Sequence, residues 1–109
     1  MPFDEGLAER IRSILGSDAD VDERKMFGGL CFLAGGNMAF GIVGDELMVR
    51  VGREGWADAL HRPYAREMDF TGRSMKGMVF VGVEGFAEDA DLAEWIEQGA
   101  AYARTLKPK

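Results

Sequence analysis

The sequence predicts an α+β fold, a two-layer domain in which helices pack on one antiparallel sheet in the order α-β-β-β-α-β-β-α. Apolar residues recur at helical spacing near both ends of the chain, and they alternate at strand spacing in the middle. Short glycine-containing turns separate the alternating segments, as in an antiparallel meander. Because helices that pack on a sheet bury its apolar face, we predict one layer of helices on one layer of sheet.

Three segments have helical patterns. The first covers residues 3–16 and has acidic residues in its first turn, where the helix dipole favours anions. A short helix covers residues 52–62 and ends before Pro63, which cannot continue it. The last helix begins at Asp91, which stands three residues before Glu94 as in a capping box. Gly99 within it costs about 1 kcal/mol relative to alanine, which predicts that this helix approaches the sheet closely.

The middle of the chain has strand patterns. After a polar connector at residues 17–23, residues 24–33 are predicted to be extended, and the turns at 35–37 and 44–45 separate two further alternating segments. Arg50 points away from Val49 and Val51, so one face of its strand is predicted to meet water. Residues 67–70 predict a brief strand. The run from Met78 to Val83, apolar on both faces, predicts an inner strand.

Two adjacent glycines in an apolar run could bind a phosphate or allow a strand to bend. A phosphate loop needs backbone N–H groups that converge before a helix, and neither a helix nor the spacing of a phosphate-binding motif follows here. We therefore predict a structural motif, a bend or bulge between two strand segments that Met26 and Phe27 anchor in the core. This motif consists of Lys25, Met26, Phe27, Gly28 and Gly29.

One cysteine and one histidine leave little scope for catalysis or metal binding. Cys31 lies between apolar residues of a predicted strand, where a lone cysteine is usually a small buried hydrophobe. Together with His61 it cannot form a zinc site of the Cys/His type, and the acidic segments do not match a calcium-binding loop. We expect no enzymatic activity, no catalytic residues, no metal and no cofactor.

The charge distribution favours a protein partner over nucleic acid. The net charge of −6, from 13 basic and 19 acidic residues, opposes bulk attraction to nucleic acid or anionic lipid. Residues 50–76 are mildly basic, however, and the segment Gly72–Gly77 is predicted to be a loop or an irregular crossing. Its basic side chains either pair with Glu67, Asp69 or the acidic flanks, or are available to an anion or an acidic partner surface. The candidate partner-binding residues are Arg50, Arg73, Ser74 and Lys76. Direct DNA binding would require one shared face for Arg50, Arg53, Arg62, Arg66, Arg73 and Lys76.

Two further alternatives concern exposed surface and pockets. The seven methionines indicate either an adaptable core or, if Met48 lies on the wet side of its strand with Arg50, a contact surface for a partner or for a second copy in a homodimer. The alternative function is a small-ligand-binding protein or weakly featured enzyme with a pocket near Cys31, His61 and Arg73. The chain lacks a signal-peptide pattern and a run of about 18 apolar residues, so a cytoplasmic protein is expected.

Four ordered segments, RKMFGG, AFGIVGDELMVRVG, DFTGRSMKGMVFV and LAEWIEQGAAYA, together resemble the N-terminal domain of the TfoX/Sxy family over about residues 5–106. The resemblance implies a two-layer α+β fold like that of type III secretion chaperones, and a regulatory rather than a catalytic role. Founding members are positive regulators of natural competence that act with the cyclic-AMP receptor protein and carry a second, helical domain.

This resemblance sets the functional expectation. We expect a single-domain member, residues 1–109, that serves as a non-enzymatic protein-interaction module and transcriptional co-regulator. The positions that match the family motif, 24–29 and 72–74, are expected to shape the sheet first and any contact site second.

We expect Trp95→Ala to lower the free energy of unfolding by about 3–5 kcal/mol, because it deletes a large aromatic side chain from the stripe that docks the last helix. Urea denaturation of the two proteins measures this difference. A loss below about 1 kcal/mol would show that the helix does not dock through this face.

Overall fold

The computed structural model describes residues 3–16, 21–26, 28–70 and 73–108, with backbone alone at 68–70 and 73–75. The helices are α1 Glu5–Leu15, α2 Gly52–Leu60 and α3 Asp89–Arg104, and a short 3₁₀ helix spans Val83–Phe86. The strands are β1 Val21–Met26, β2 Gly29–Ala34, β3 Asn37–Val43, β4 Glu46–Arg50, β5 Ala65–Phe70 and β6 Arg73–Val81. They form one antiparallel sheet in the order β1-β2-β3-β4-β6-β5.

The predicted α+β class and the order of helices and strand groups are confirmed, but four strands precede α2 where three were predicted. The turns predicted at 35–37 and 44–45 join β2 to β3 and β3 to β4, although Asn37 already belongs to β3, and β6 is an inner strand between β4 and β5. Within the described residues, no helix is long and apolar enough to cross a membrane.

The glycine pair after β1 stands at the junction of two strand segments, as predicted, but this junction is a hairpin and not a bend or bulge. Met26 pairs directly with Gly29 in the antiparallel register of β1 and β2. Gly28 has a left-handed φ of 72°, and a Cβ on Gly29 would lie 2.0 Å from the Ile42 carbonyl oxygen. Gly28 adopts the left-handed conformation of the turn, and the absence of a side chain on Gly29 allows β3 to pack closely against it. The predicted anchoring role of Phe27 lies outside the described residues.

All three helices pack on one face of the sheet. Their buried side chains join those of the strands in one core cluster, in which Trp95 of α3 is only 1% exposed. The close approach predicted at Gly99 is confirmed, since a Cβ there would lie 2.4 Å from the Ala39 carbonyl oxygen. Asp4 caps the start of α1 by accepting hydrogen bonds from the backbone N–H groups of Gly6 and Leu7.

The start of α3 differs from the prediction. The helix begins at Asp89, with Glu88 at the N-cap, so Asp91 lies inside the first turn and does not cap it. The start of α3 is held in place instead by contacts from α1. Arg10 donates hydrogen bonds to the carbonyl oxygens of Phe86 and Ala87, and it forms a 3.0 Å ion pair with Asp89. The bonds from this single guanidinium link α1 to the entry of α3.

The second face of the sheet holds a cluster of strand residues that is also buried. Its members are Cys31, Leu33, Met48, Met78 and Phe80, with Met26, Met38 and Val43 packed beside them. Met48 does share the Arg50 side of β4, but it is 0% exposed. The exposed methionine surface considered for a partner or a homodimer is therefore not formed at Met48.

Arg66 covers part of this second face. Its guanidinium lies 5.0 Å from the Phe80 ring centroid, and its Nη2 donates a 2.6 Å hydrogen bond to Oε1 of Glu46. The hydrogen bond from Arg66 holds the pKa of Glu46 below its usual range against the opposing effect of burial. On the helical side, Arg12 of α1 similarly lowers the pKa of Glu23 of β1. Both carboxylates thus favour the folded state when ionised.

We expect Gly29→Ala to destabilise the fold by more than Gly28→Val. The Cβ of alanine at position 29 would clash with the backbone of β3. Valine at position 28 would meet open space, so its only cost is the strain of a left-handed backbone conformation. Urea denaturation of both variants measures the two losses. Midpoints equal to the wild-type value would show that neither glycine is needed for the hairpin.

Acid should weaken the fold through these two ion pairs. A carboxylate whose pKa is depressed by folding stabilises the protein above its unfolded pKa, and that contribution is lost as the pH falls through the folded value. We expect Glu46→Gln to reduce the decline in the free energy of unfolding between about pH 6 and about pH 3. The control is Glu84→Gln, which removes an exposed carboxylate. Equal slopes for both variants and the wild type would contradict the expectation.

Candidate partner-binding groove

A concave groove of about 880 Å³ lies where β4 ends, α2 begins and α3 ends. We call it the basic groove. Three of its residues are basic and one is acidic, namely Arg50, Arg53, Lys76 and Glu54. The remaining lining comes from Met38, Val51, Gly52, Gly55, Gly77, Met78, Tyr102, Thr105 and Leu106. Residues distant in sequence therefore meet at one end of the sheet.

The junction between β4 and α2 builds the wall of the basic groove. Val51 donates a 2.8 Å backbone hydrogen bond to the Gly77 carbonyl oxygen, which holds β6 against this junction. Gly52 has a φ of 80°, and a Cβ on it would lie 2.4 Å from Cε1 of Tyr102. Because Gly52 has no side chain, the Tyr102 ring can pack against the first residue of α2. Strands β4 and β6 and both helices thereby converge.

Arg50 lies over an aromatic ring. Its guanidinium carbon is 5.5 Å from the centroid of the Tyr102 ring, within the range of a cation–π interaction. Its Nη1 lies 3.5 Å from the Met38 carbonyl oxygen. Within the described part of the chain, no carboxylate forms an ion pair with this guanidinium. Arg50 is thus oriented by neutral groups and keeps its charge available.

The other two cations of the basic groove are exposed. Arg53 in the first turn of α2 and Lys76 of β6 have no ion pair among the described residues. The N-cap residue Val51 makes no side-chain hydrogen bond, so the N–H groups of that first turn stay uncapped beside the same cavity. Glu54 is the single acidic residue of the lining. The groove is locally positive on a chain whose net charge is −6.

The structure brings together two of the four candidate partner-binding residues, Arg50 and Lys76. Arg73 and Ser74 begin β6, where they pair with Phe70 and Asp69. The predicted loop from Gly72 to Gly77 is therefore wrong, since Arg73–Gly77 is the first half of a strand. The side chains of Arg73 and Ser74 lie outside the described residues.

The basic residues do not gather on one face, as direct DNA binding would require. Arg62 stacks on Trp95 on the helical side, 3.6 Å from the ring centroid, while Arg66 pairs with Glu46 across the second face. Of the predicted set, only Arg50, Arg53 and Lys76 share a surface among the described side chains. The required arrangement is absent from that part of the molecule.

The expected pocket near Cys31 and His61 is not found at either cavity described. Cys31 is fully buried in the second-face cluster, and burial raises the pKa of its thiol. His61 is exposed at the end of α2. Neither lines the basic groove or the smaller cavity of about 370 Å³ between α1 and Asp89. No group of three potential metal-ligating side chains occurs among the described residues.

Sequence reasoning missed three features of the basic groove. Arg53 was considered only as part of a DNA-binding face, and Gly52 and Tyr102 were not considered as site residues. A glycine at the junction of a strand and a helix is a detectable signal for a close backbone approach. The partner in that approach, Tyr102, lies fifty residues further along the chain, so no local pattern identifies it.

Comparison with known proteins defines the family. No curated protein and no solved structure matches the chain. The family described as the TfoX N-terminal domain matches residues 13–103, which include the last three residues of α1, the whole sheet and nearly all of α3. The chain belongs to the TfoX N-terminal domain family.

Proposed function

We propose that this protein is a non-enzymatic protein-interaction module that acts in the cytoplasm as a transcriptional co-regulator, and that an acidic segment of its protein partner binds in the basic groove. The observation that carries the proposal is the convergence on one concavity of Arg50, Arg53 and Lys76, which have no ion pair with any side chain that the structure describes. Charges left without partners at a concave site are available to a binding partner.

The regulatory part of the proposal rests on family membership. The TfoX N-terminal domain takes its name from competence regulators, which suggests a role in gene regulation. A co-regulator can act through another protein, and the charge of −6 suits a protein contact better than a contact with DNA.

The form of the surface favours a concave contact over a flat one. Among the described side chains, the only large apolar residues that are well exposed are Tyr64 and Val83, so no broad apolar patch is available there. The basic groove combines charge with an apolar floor, and a side chain of the partner could anchor in it as interface hot spots do.

A second candidate function is the binding of a small anionic ligand. Its support is the cavity volume of about 880 Å³, which lies within the range of about 300–1,000 Å³ for small-molecule sites. In this candidate function the ligand would bind in the basic groove at Arg50 and Lys76, and not near Cys31 and His61.

The test is affinity capture from the cytosol of the source cells, with the wild type compared with Lys76→Glu and Arg53→Glu. We expect at least one protein captured by the wild type to be lost with both variants, because a charge of the wrong sign would repel an acidic segment. Arg53→Glu places an anion in the first turn of α2, which the helix dipole favours, so a folding defect is not expected.

The matched control for the capture is Lys25→Glu. Lys25 is also an exposed strand lysine, but β1 is the far edge strand of the sheet. Capture that survives in all three variants would contradict the groove as the contact site. Loss with Lys25→Glu alone would place the contact at the β1–β2 hairpin instead.

A further inference from the structure

We propose that the basic groove recognises a peptide segment in which acidic and apolar side chains alternate, and not acidic charge alone. A carboxylate of the segment would meet Arg50 and Lys76, and the neighbouring apolar side chain would lie against Met38 and Leu106. This inference rests on the proposed function, and it adds the chemistry of the partner.

The charged part of the site suits a carboxylate. The Arg50 guanidinium lies over the Tyr102 ring at 5.5 Å, which orients its plane through neutral contacts. A guanidinium held in this way can donate two parallel hydrogen bonds to a carboxylate, the geometry that arginine favours. Lys76 and Arg53 line the same cavity and add charge without competing partners in the described chain.

The apolar part of the site explains why charge alone would not be enough. Met38 and Leu106 are half-buried and line the basic groove with the buried Met78. Methionine side chains are flexible and adapt to irregular apolar shapes. A ligand that fills only the charged side would leave this floor in contact with water, while an adjacent apolar side chain would bury it at a gain proportional to the area covered.

The charge balance argues against a polyanion. Three cations and Glu54 give the lining a net charge of about +2 by simple subtraction, whereas non-specific binding to nucleic acid depends on many phosphate contacts. The groove therefore suits one or two carboxylates. Glu54 would repel a ligand of higher charge density, so it should also limit the affinity for the proposed peptide.

The test uses three labelled synthetic peptides and fluorescence anisotropy with the purified full chain. The peptides are repeats of Glu-Leu, Glu-Gly and Gln-Leu, matched in length. We expect the Glu-Leu peptide to bind about tenfold more tightly than either control, a difference of about 1.4 kcal/mol. Amide signals of Arg53 and Gly55 should shift in nuclear magnetic resonance spectra when this peptide binds.

Variants of the groove test each part of the site. Lys76→Glu and Leu106→Ser should each weaken binding of the Glu-Leu peptide, while Glu54→Gln should tighten it. Lys25→Glu should leave binding within about twofold of the wild type, because Lys25 lies on the far edge strand β1 and salt screens its charge from the basic groove. Thermal unfolding of each variant identifies a loss that is due to misfolding, and the gain expected for Glu54→Gln cannot arise in that way.

The outcomes separate this inference from the proposed function. Equal binding of the Glu-Leu and Glu-Gly peptides, or no binding of the Glu-Leu peptide up to about 1 mM, would overturn the inference even if a captured protein depends on Lys76. Conversely, tight Glu-Leu binding with no capture that depends on Lys76 or Arg53 would support the peptide chemistry and contradict the proposed function.

Discussion

The packing of α3 across the middle of the sheet is the constraint on which both the core and the basic groove depend. Helix and strand come close enough that a Cβ on Gly99 would lie 2.4 Å from the Ala39 carbonyl oxygen. At this distance Trp95 is buried in the main core, and the end of the helix brings Tyr102 to the first residue of α2. A larger side chain at position 99 would lift the helix, and the same movement would change the groove.

The second face of the sheet shows how a two-layer domain can lack an exposed apolar surface. Long side chains of the strands bury one another there, and Arg66 extends over Phe80 to reach Glu46. Arginine can cover an apolar ring with its stem while its charge pairs at the rim. The charged edge strand β1, whose side chains at 22–25 are exposed, also discourages pairing with another sheet. The flat surfaces of the described residues thus offer little exposed apolar area, and the proposed partner site is the concave one at the end of the sheet.

Local patterns predicted most of this fold, and they failed where the side chains of a strand are polar and give no apolar alternation. Helical spacing identified α1 and the face of α3 that contains Trp95, and glycine turns identified the β2–β3 and β3–β4 connections. Strand β1 was missed in part because its exposed side chains on both faces give no apolar alternation. The Gly72–Gly77 segment was predicted as a loop because polar residues stand between glycines, yet β6 begins at Arg73, where it pairs with β5.

The basic groove could not be predicted because contacts between distant parts of the chain bring its residues together. Arg50 and Lys76 were identified individually from charge, but their convergence depends on the hydrogen bond between Val51 and Gly77 and on Tyr102 packing against Gly52. These contacts join residues that are 26 and 50 positions apart in the numbering of the chain. The alternative pocket near Cys31, His61 and Arg73 is not formed at Cys31, because that side chain is fully buried in a cluster of strand residues. Charge can be read from a sequence, whereas its placement around a cavity is a property of the tertiary structure.

The sign of the overall charge and the sign of the groove are opposite, and distance decides which one a partner meets. At physiological ionic strength, charges separated by more than about 8 Å are largely screened. An acidic segment seated in the groove would therefore interact mainly with Arg50, Arg53 and Lys76, while the acidic residues elsewhere that produce the net charge of −6 would have little effect on it. The same net charge repels an acidic partner at long range, so it does not assist the encounter. Affinity at this site must then arise from contacts made after encounter, so the apolar floor beside the cations contributes as directly as the cations themselves.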